Sequence, residues 1–154
     1  MRMAQAGPVR STSLDEQLCF ALYAASRAMT SCYRPMLDAL DLTYPQYLVL
    51  LVLWERGEST VTGIGQALQL ETGTLSPLLK RLEAAGLITR ARQAGDERSV
   101  LVSVTAAGRG LEAQVAQAQV DVGGATGLSP AEIGELRETL QLLSHRLRAA
   151  AGAR

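Results

Sequence analysis

Two thiols, Cys19 and Cys32, and a run of hydroxyl and basic side chains between Thr72 and Arg98 are the groups in this chain whose types and spacing suit them for chemistry. The N-terminus carries no signal-peptide pattern, and two cysteines then fit a reducing cytoplasm, where a thiol is free or redox-active rather than structural. A helical cysteine flanked by Leu18 and Phe20 is ordinarily an inert small hydrophobe. It becomes reactive only where something stabilises its thiolate. His145 is the single histidine and sits near a polar helix end, so a metal site has nothing to build on and no cofactor is expected.

In the second group, Thr72, Thr74 and Ser76 can hydrogen-bond phosphate or base edges, and Lys80 and Arg81 can neutralise phosphate. Arg90, Arg92 and Arg98 follow on a short hairpin, with Arg98 at its tip, where a narrow minor groove would focus negative potential. Across residues 72–98 five Lys/Arg stand against three acids (Glu83, Asp96, Glu97), a local net of +2 in a chain of formal charge +0. Affinity for nucleic acid would therefore rest on a local patch and not on global charge. Lys80 and Arg81 alone would be an ordinary solvated helix face. The basic hairpin after them and the short helix before them change that reading, because few folds set those parts in this order.

The elements that must position these groups are mostly helical. Apolar residues make up 47% and aromatics only 4%, with alanine and leucine abundant, a helix-favouring composition. The length suits one ordinary domain with a real core. No apolar run reaches the roughly 18–20 residues needed to cross a bilayer; residues 47–54 are apolar but are closed by Glu55 and Arg56. No membrane partner is expected. Residues 1–13 lack periodicity and read as a flexible arm. Ser13-Leu-Asp-Glu16 has the capping-box form and predicts a helix from there to about Leu40, which Pro35 should kink or split. Thr43-Tyr-Pro45 opens a second helix that ends at Gly57.

Val61, Ile64 and Leu68 mark a short third helix. After the turn Gln69-Leu-Glu71, Thr72 is the expected N-cap of a helix over residues 72–85 that turns Leu75, Leu78, Leu79 and Leu82 inward. Gly86 stops it. Residues 87–92 and 99–104 read as strands joined by a polar hairpin at 93–98. Two short helices followed by a β-ribbon describe a winged helix-turn-helix, whose second helix enters the major groove of duplex DNA. Thr105 begins another helix. Ser129-Pro-Ala-Glu132 is a second capping box, followed by Ile133, Leu136, Leu140, Leu143 and Leu147, a narrow seam suited to packing within the chain or across a dimer. The expected fold is mainly α with a small β-wing, its N- and C-terminal helices forming a homodimer interface. The expected organisation is an arm (1–13), a winged-helix domain (14–148) and a tail (149–154). Within the domain, a DNA-binding lobe spans about 58–104 and dimerisation helices about 14–40 and 105–148.

Over about residues 14–148 the chain resembles the MarR family of bacterial winged-helix regulators. The residues that carry this are Leu75-Ser-Pro-Leu-Leu-Lys-Arg-Leu-Glu83, Gly86-Leu-Ile-Thr-Arg90, the Asp96-Glu-Arg98 wing and Thr105-Ala-Ala-Gly108. Leu14-Asp-Glu-Gln-Leu-Cys-Phe-Ala-Leu-Tyr23 and Leu42-Thr-Tyr-Pro-Gln-Tyr-Leu-Val-Leu50 resemble its OhrR subgroup, which senses organic hydroperoxides. The resemblance implies a non-enzymatic repressor that binds a palindromic operator as a homodimer and releases it when Cys19 is oxidised by an organic hydroperoxide. It also implies Asp96 and Arg98 as wing residues, and Tyr33 and Tyr44 as the phenols that hydrogen-bond Cys19; Tyr23 and Tyr47 have no such match.

Spacing constrains that implication. Tyr33 is 14 residues from Cys19, ~21 Å along a straight helix, so it cannot reach its own Cys19 unless the chain folds back, whereas a partner subunit packed antiparallel could supply the phenol. With Ser13 as N-cap, Cys19 would lie in the second turn, where the helix dipole is a weak activator. Cys32 is ~20 Å away along the same axis, too far for an intrachain disulfide, and no cysteine follows it. The resemblance then favours one-cysteine chemistry: a sulfenic acid, followed by a mixed disulfide with a low-molecular-weight thiol or by over-oxidation, with Cys32 a bystander and an intersubunit bridge through it the alternative. The alternatives are a repressor of the same fold released by a small phenolic ligand, with Cys19 structural; a thiol peroxidase, against which the lack of C-x-x-C and βαβ patterns counts; and a helical scaffold with no DNA function.

Overall fold

The computed structural model describes residues 11–153, so most of the arm at 1–13 lies outside them. Seven helices and a small sheet follow in chain order among the described residues: α1 (Leu18–Ala39), α2 (Tyr44–Arg56), β1 (Ser59–Thr60), α3 (Val61–Leu68), α4 (Thr72–Ala84), β2 (Ile88–Gln93), β3 (Asp96–Val104), α5 (Ala106–Arg109), α6 (Glu112–Ala125) and α7 (Pro130–Gly152). This is the expected mainly helical architecture with a β-wing. The chain divides after Val115 into two compact units. No single described helix is long and apolar enough to cross a membrane.

Helix α2 is the centre of the first unit. Thr43 and Gln46 cap it reciprocally: Thr43 Oγ1 accepts from the Gln46 N–H (3.4 Å) and Gln46 Oε1 accepts from the Thr43 N–H (2.9 Å). Pro45 sits in the first turn, where a missing N–H is harmless. Its apolar run is buried on most sides, with Val49, Leu50 and Leu53 wholly inaccessible. Leu37 of α1, Ile64 of α3, Leu75, Leu79 and Leu82 of α4, and Ile88 and Val102 of the sheet close around it in one cluster.

The helix boundaries differ from the sequence reading in instructive ways. Ser13 makes no side-chain cap; it precedes a 3-10 turn, Leu14–Glu16, and α1 starts only after Gln17. The Gln17 side chain donates to the carbonyls of Ser11 (2.8 Å) and Ser13 (3.1 Å), tying the turn back on itself. Pro35 does not split α1. It removes one helical bond, to the Ser31 carbonyl, and both residues are exposed, so water can satisfy that acceptor. Glu71, not Thr72, is the N-cap of α4, and Gly86 ends that helix with φ +75°. The helix expected from Thr105 breaks into α5 and α6. In the second unit, α7 continues through Gly152, so most of the predicted tail is helix.

The wing is longer than predicted. Strands β2 and β3 pair antiparallel from Ile88↔Val104 to Gln93↔Asp96, leaving a two-residue turn, Ala94-Gly95, with Gly95 at φ +88°. Strand β1, only two residues long and not foreseen, pairs with the far edge of β3. Strands this short carry no readable alternation.

One knot fastens the wing to the helical core. Thr105 Oγ1 donates to the Gly86 carbonyl (2.7 Å) and accepts from the Gly108 N–H (3.1 Å), while the Thr105 N–H donates to the Leu87 carbonyl (3.0 Å). Trp54 Nε1 donates to the Gly108 carbonyl (3.3 Å), joining α2 to the same point. A Cβ on Gly108 would collide with the Leu87 carbonyl oxygen and lie 2.7 Å from a Val104 methyl. Gly108→Ala is therefore expected to lower the unfolding free energy by about 1–3 kcal/mol. Gly123→Ala, whose Cβ would meet nothing within 4 Å, should be neutral or stabilising by up to about 1 kcal/mol. Denaturant titrations of both variants check the contrast.

Candidate nucleic-acid interface and thiol site

Helix α4 buries Leu75, Leu79 and Leu82 and leaves Leu78 half-buried against the same core. The opposite side is therefore turned outward. Thr72, Thr74, Lys80 and Arg81 are exposed and Ser76 is half-buried. Thr72, Ser76 and Lys80 are four residues apart and form one stripe along the helix. Gly65 of α3 packs so closely that a Cβ would lie 2.9 Å from the Leu70 carbonyl oxygen, and Gln69 takes φ +58° to make the turn between the helices.

On the wing, Arg92 and Arg98 are exposed and Arg90 is half-buried. Arg90 and Arg92 are two apart on β2 and share a face. Two of the wing's predicted contact residues also have intramolecular partners. Arg90 Nε donates to Glu83 Oε2 (3.1 Å) and its Nη2 to Glu83 Oε1 (3.3 Å), a two-point ion pair that ties the wing to α4. Asp96 Oδ1 accepts from the Arg98 N–H (3.0 Å), which shapes the hairpin tip. Asp96 thus orients the arginine backbone, a role that its charge alone would not suggest beside an anionic ligand.

Cys19 and Cys32 are both free and exposed on α1. Because the helix starts at Leu18, Cys19 is its second residue and lies in the first turn, not the second. The N–H groups there have no intrahelical acceptor and favour a nearby anion. Tyr33 lies on the same unbroken helix, ~21 Å further along, so no bend brings the two together within one chain. At 100° per residue Tyr33 points within about 40° of Cys19, while Cys32 is turned about 140° away.

Tyr33 is instead gathered with Tyr44, the first residue of α2, and Tyr47, one turn further on. The ring centroids are 5.8 Å apart for Tyr33–Tyr44 and 5.5 Å for each of the pairs with Tyr47. Tyr47 is only 2% exposed and forms the floor of the cluster. Burial pushes the Tyr33 hydroxyl up to about 12, aided by Tyr47, which lies close and hydrogen-bonds it, and by Tyr44. Burial also raises Tyr44, with Tyr47 again contributing. Both phenols are thereby kept protonated, as hydrogen-bond donors. The spacing of Tyr44 and Tyr47 (i, i+3) puts them on one helix face and could have flagged Tyr47. Glu83 carried no comparable signal, since its partner lies across a turn.

The chain matches the family described as "Transcriptional regulator SarA/Rot" over residues 31–115. It is 48% identical over 130 residues to the organic hydroperoxide resistance transcriptional regulator of Bacillus subtilis, covering 84% of this chain and 88% of that one. It is likewise 48% identical over 151 residues to the HTH-type transcriptional regulator TtmR of Methylorubrum extorquens, covering 98% of this chain and 77% of that one. Among solved structures, reduced AbfR bound to DNA superposes with a TM-score of 0.73 at 38% identity, covering 87% of this chain and 94% of that one. AbfR, from Staphylococcus epidermidis, has also been solved overoxidised on DNA and in a disulfide form.

The raised Tyr33 hydroxyl has a consequence for stability at high pH. The folded form holds its proton to about 12 while the unfolded form releases it at 10.0. The contribution is present below pH 10 and is lost as pH rises towards 12. The parent should therefore lose stability across that window more steeply than Tyr33→Phe, measured as denaturation midpoints alongside phenolate absorbance.

Proposed function

This chain belongs to the MarR-like winged-helix transcriptional regulators, in the OhrR-like group, and from that premise we propose that it is a thiol-switched repressor released from operator DNA when an organic hydroperoxide oxidises Cys19. The observation that carries this reading is the place of Cys19: exposed, in the first turn of α1, on the helix face it shares with Tyr33. The DNA-binding face supports it independently, through the Thr72, Ser76 and Lys80 stripe, with Thr74 and Arg81 beside it and Arg92 and Arg98 on the wing.

The thiol site is built across a homodimer. The N-terminal half of α1 leaves Leu18, Phe20, Tyr23 and Met29 exposed, and α7 does the same with Leu136, Leu140 and Leu147, surfaces that a second copy would cover. An antiparallel α1 pair that sets Cys19 against the other subunit's Tyr33 has its two-fold axis at Ser26, midway between them. Tyr33 and Tyr44 then donate to the thiolate from the partner subunit. Cys32, turned away from this face, takes no part.

In the reaction, the Cys19 thiolate attacks the outer oxygen of the hydroperoxide, the O–O bond breaks, and the leaving alkoxide takes a proton to become an alcohol. The sulfenic acid then condenses with a low-molecular-weight thiol, forming a mixed disulfide and releasing water. The added bulk cannot be absorbed by a packed interface, and the subunits repack. Two reading helices must lie about 34 Å apart to occupy successive major grooves, so a small rotation is enough to break the fit.

A gel shift on DNA upstream of the chain's own gene tests the switch. Organic hydroperoxide with a small thiol should release the parent and leave Cys19→Ser bound; equal release of both would favour a repressor freed by a small ligand. Subunit mixing tests the shared site. A heterodimer of Cys19→Ser with Tyr33→Phe/Tyr44→Phe keeps one complete site only if phenol and thiol come from different subunits. It should respond at a rate near the parent's, whereas a homodimer of the tyrosine variant should be slow.

A further inference from the structure

The ion pair between Glu83 and Arg90 adjoins a cleft behind the DNA-binding face proposed above. Its volume is about 230 Å³, and it lies where the starts of α3 and α4 meet the wing. Thr62, Thr72, Ser76, Arg90 and Arg98 line it, and no acidic side chain does so among the described residues. Hydroxyls and two guanidinium groups without an acid are the makings of a phosphate seat. Glu83 binds Arg90 through Nε and Nη2, one edge of the fork, which leaves the Nη1 end uncommitted. That hydrogen bond holds the Glu83 carboxyl below its usual range, so it remains charged at neutral pH.

We propose that this cleft seats one backbone phosphate of the bound duplex, and that Glu83 is a positioning residue that holds Arg90 with its free end towards that phosphate. The inference rests on the DNA-binding reading above. An arginine already fixed by a carboxylate loses less rotamer freedom on binding than a free one. The charge of Glu83 pulls the other way, since an acid beside a phosphate weakens binding. The two effects predict opposite signs for its removal, which makes the question decidable.

The test is fluorescence anisotropy of the full chain on the upstream duplex across a salt series, for the parent, Glu83→Gln, Arg90→Gln and the double variant. Glu83→Gln should weaken binding about tenfold and flatten the slope of log K against log salt by about 0.9, as for one lost phosphate contact, although it adds positive charge. The double variant should bind no more weakly than Arg90→Gln alone. Equal or tighter binding by Glu83→Gln, or losses that add in the double variant, would overturn the proposal. Arg90→Lys decides the matter if Glu83→Gln melts early: it keeps the charge but not the two-edged geometry. It should lose affinity as Arg90→Gln does, and parent-like binding overturns the proposal. A parent with no salt-dependent affinity for the duplex overturns the DNA-binding reading itself, and this proposal with it.

Discussion

Gly108 has no room for a side chain, and the wing and the helices beside it are arranged around that contact. The Leu87 carbonyl fills the space a Cβ would take and accepts the Thr105 N–H, while the Thr105 hydroxyl reaches the Gly86 carbonyl and Trp54 reaches the Gly108 carbonyl. The stop of the reading helix, the first strand of the wing, the last residues of its second strand and the core helix therefore meet at one point. Wing and reading helix must hold a fixed angle if one is to lie along a groove while the other enters it.

Helix α2 carries that constraint to the other end of the molecule's first unit. Tyr44 is its first residue and Trp54 lies near its last turn, so one buried, rigid element runs from the phenol cluster to the wing junction. Its burial on most sides means that it moves as a body or not at all. The corner before it is tight: α1 and α2 are bent by 80° about a short turn in which Asp41 adopts φ +53°. In the proposed switch, a volume change beside Tyr33 and Tyr44 would act directly on the buried helix that packs against α4.

Electrostatics are local in the same way. A chain of formal charge +0 has no long-range field to draw it to DNA. Instead Glu83, an acid of α4, is bound up with Arg90. Asp96 serves the hairpin tip through a backbone N–H. Lys80 and Arg81 of α4 and Arg92 and Arg98 of the wing are exposed, so the positive bias is local.

Much of this protein was legible in its residues alone. Leucine spacing found α4 and its buried face, because a helix's periodicity depends only on neighbours three and four positions apart. The glycine at 86, the valine-rich strand and the second capping box at Ser129 were readable for the same local reason. The separation of Cys19 from Tyr33 along one helix followed from helix rise. The tertiary structure decided whatever depended on residues distant in sequence. Gln17, not Ser13, starts α1 because its side chain folds back onto the carbonyls of Ser11 and Ser13, and that moved Cys19 into the first turn. Pro35 was tolerated because its orphaned acceptor faces water. Tyr47 became the floor of the phenol cluster, and Glu83 the partner of Arg90, only when packing set α1 against α2 and the wing against α4. Periodicity reports which side of an element is apolar, but the identity of the side chain across the gap is fixed by the fold.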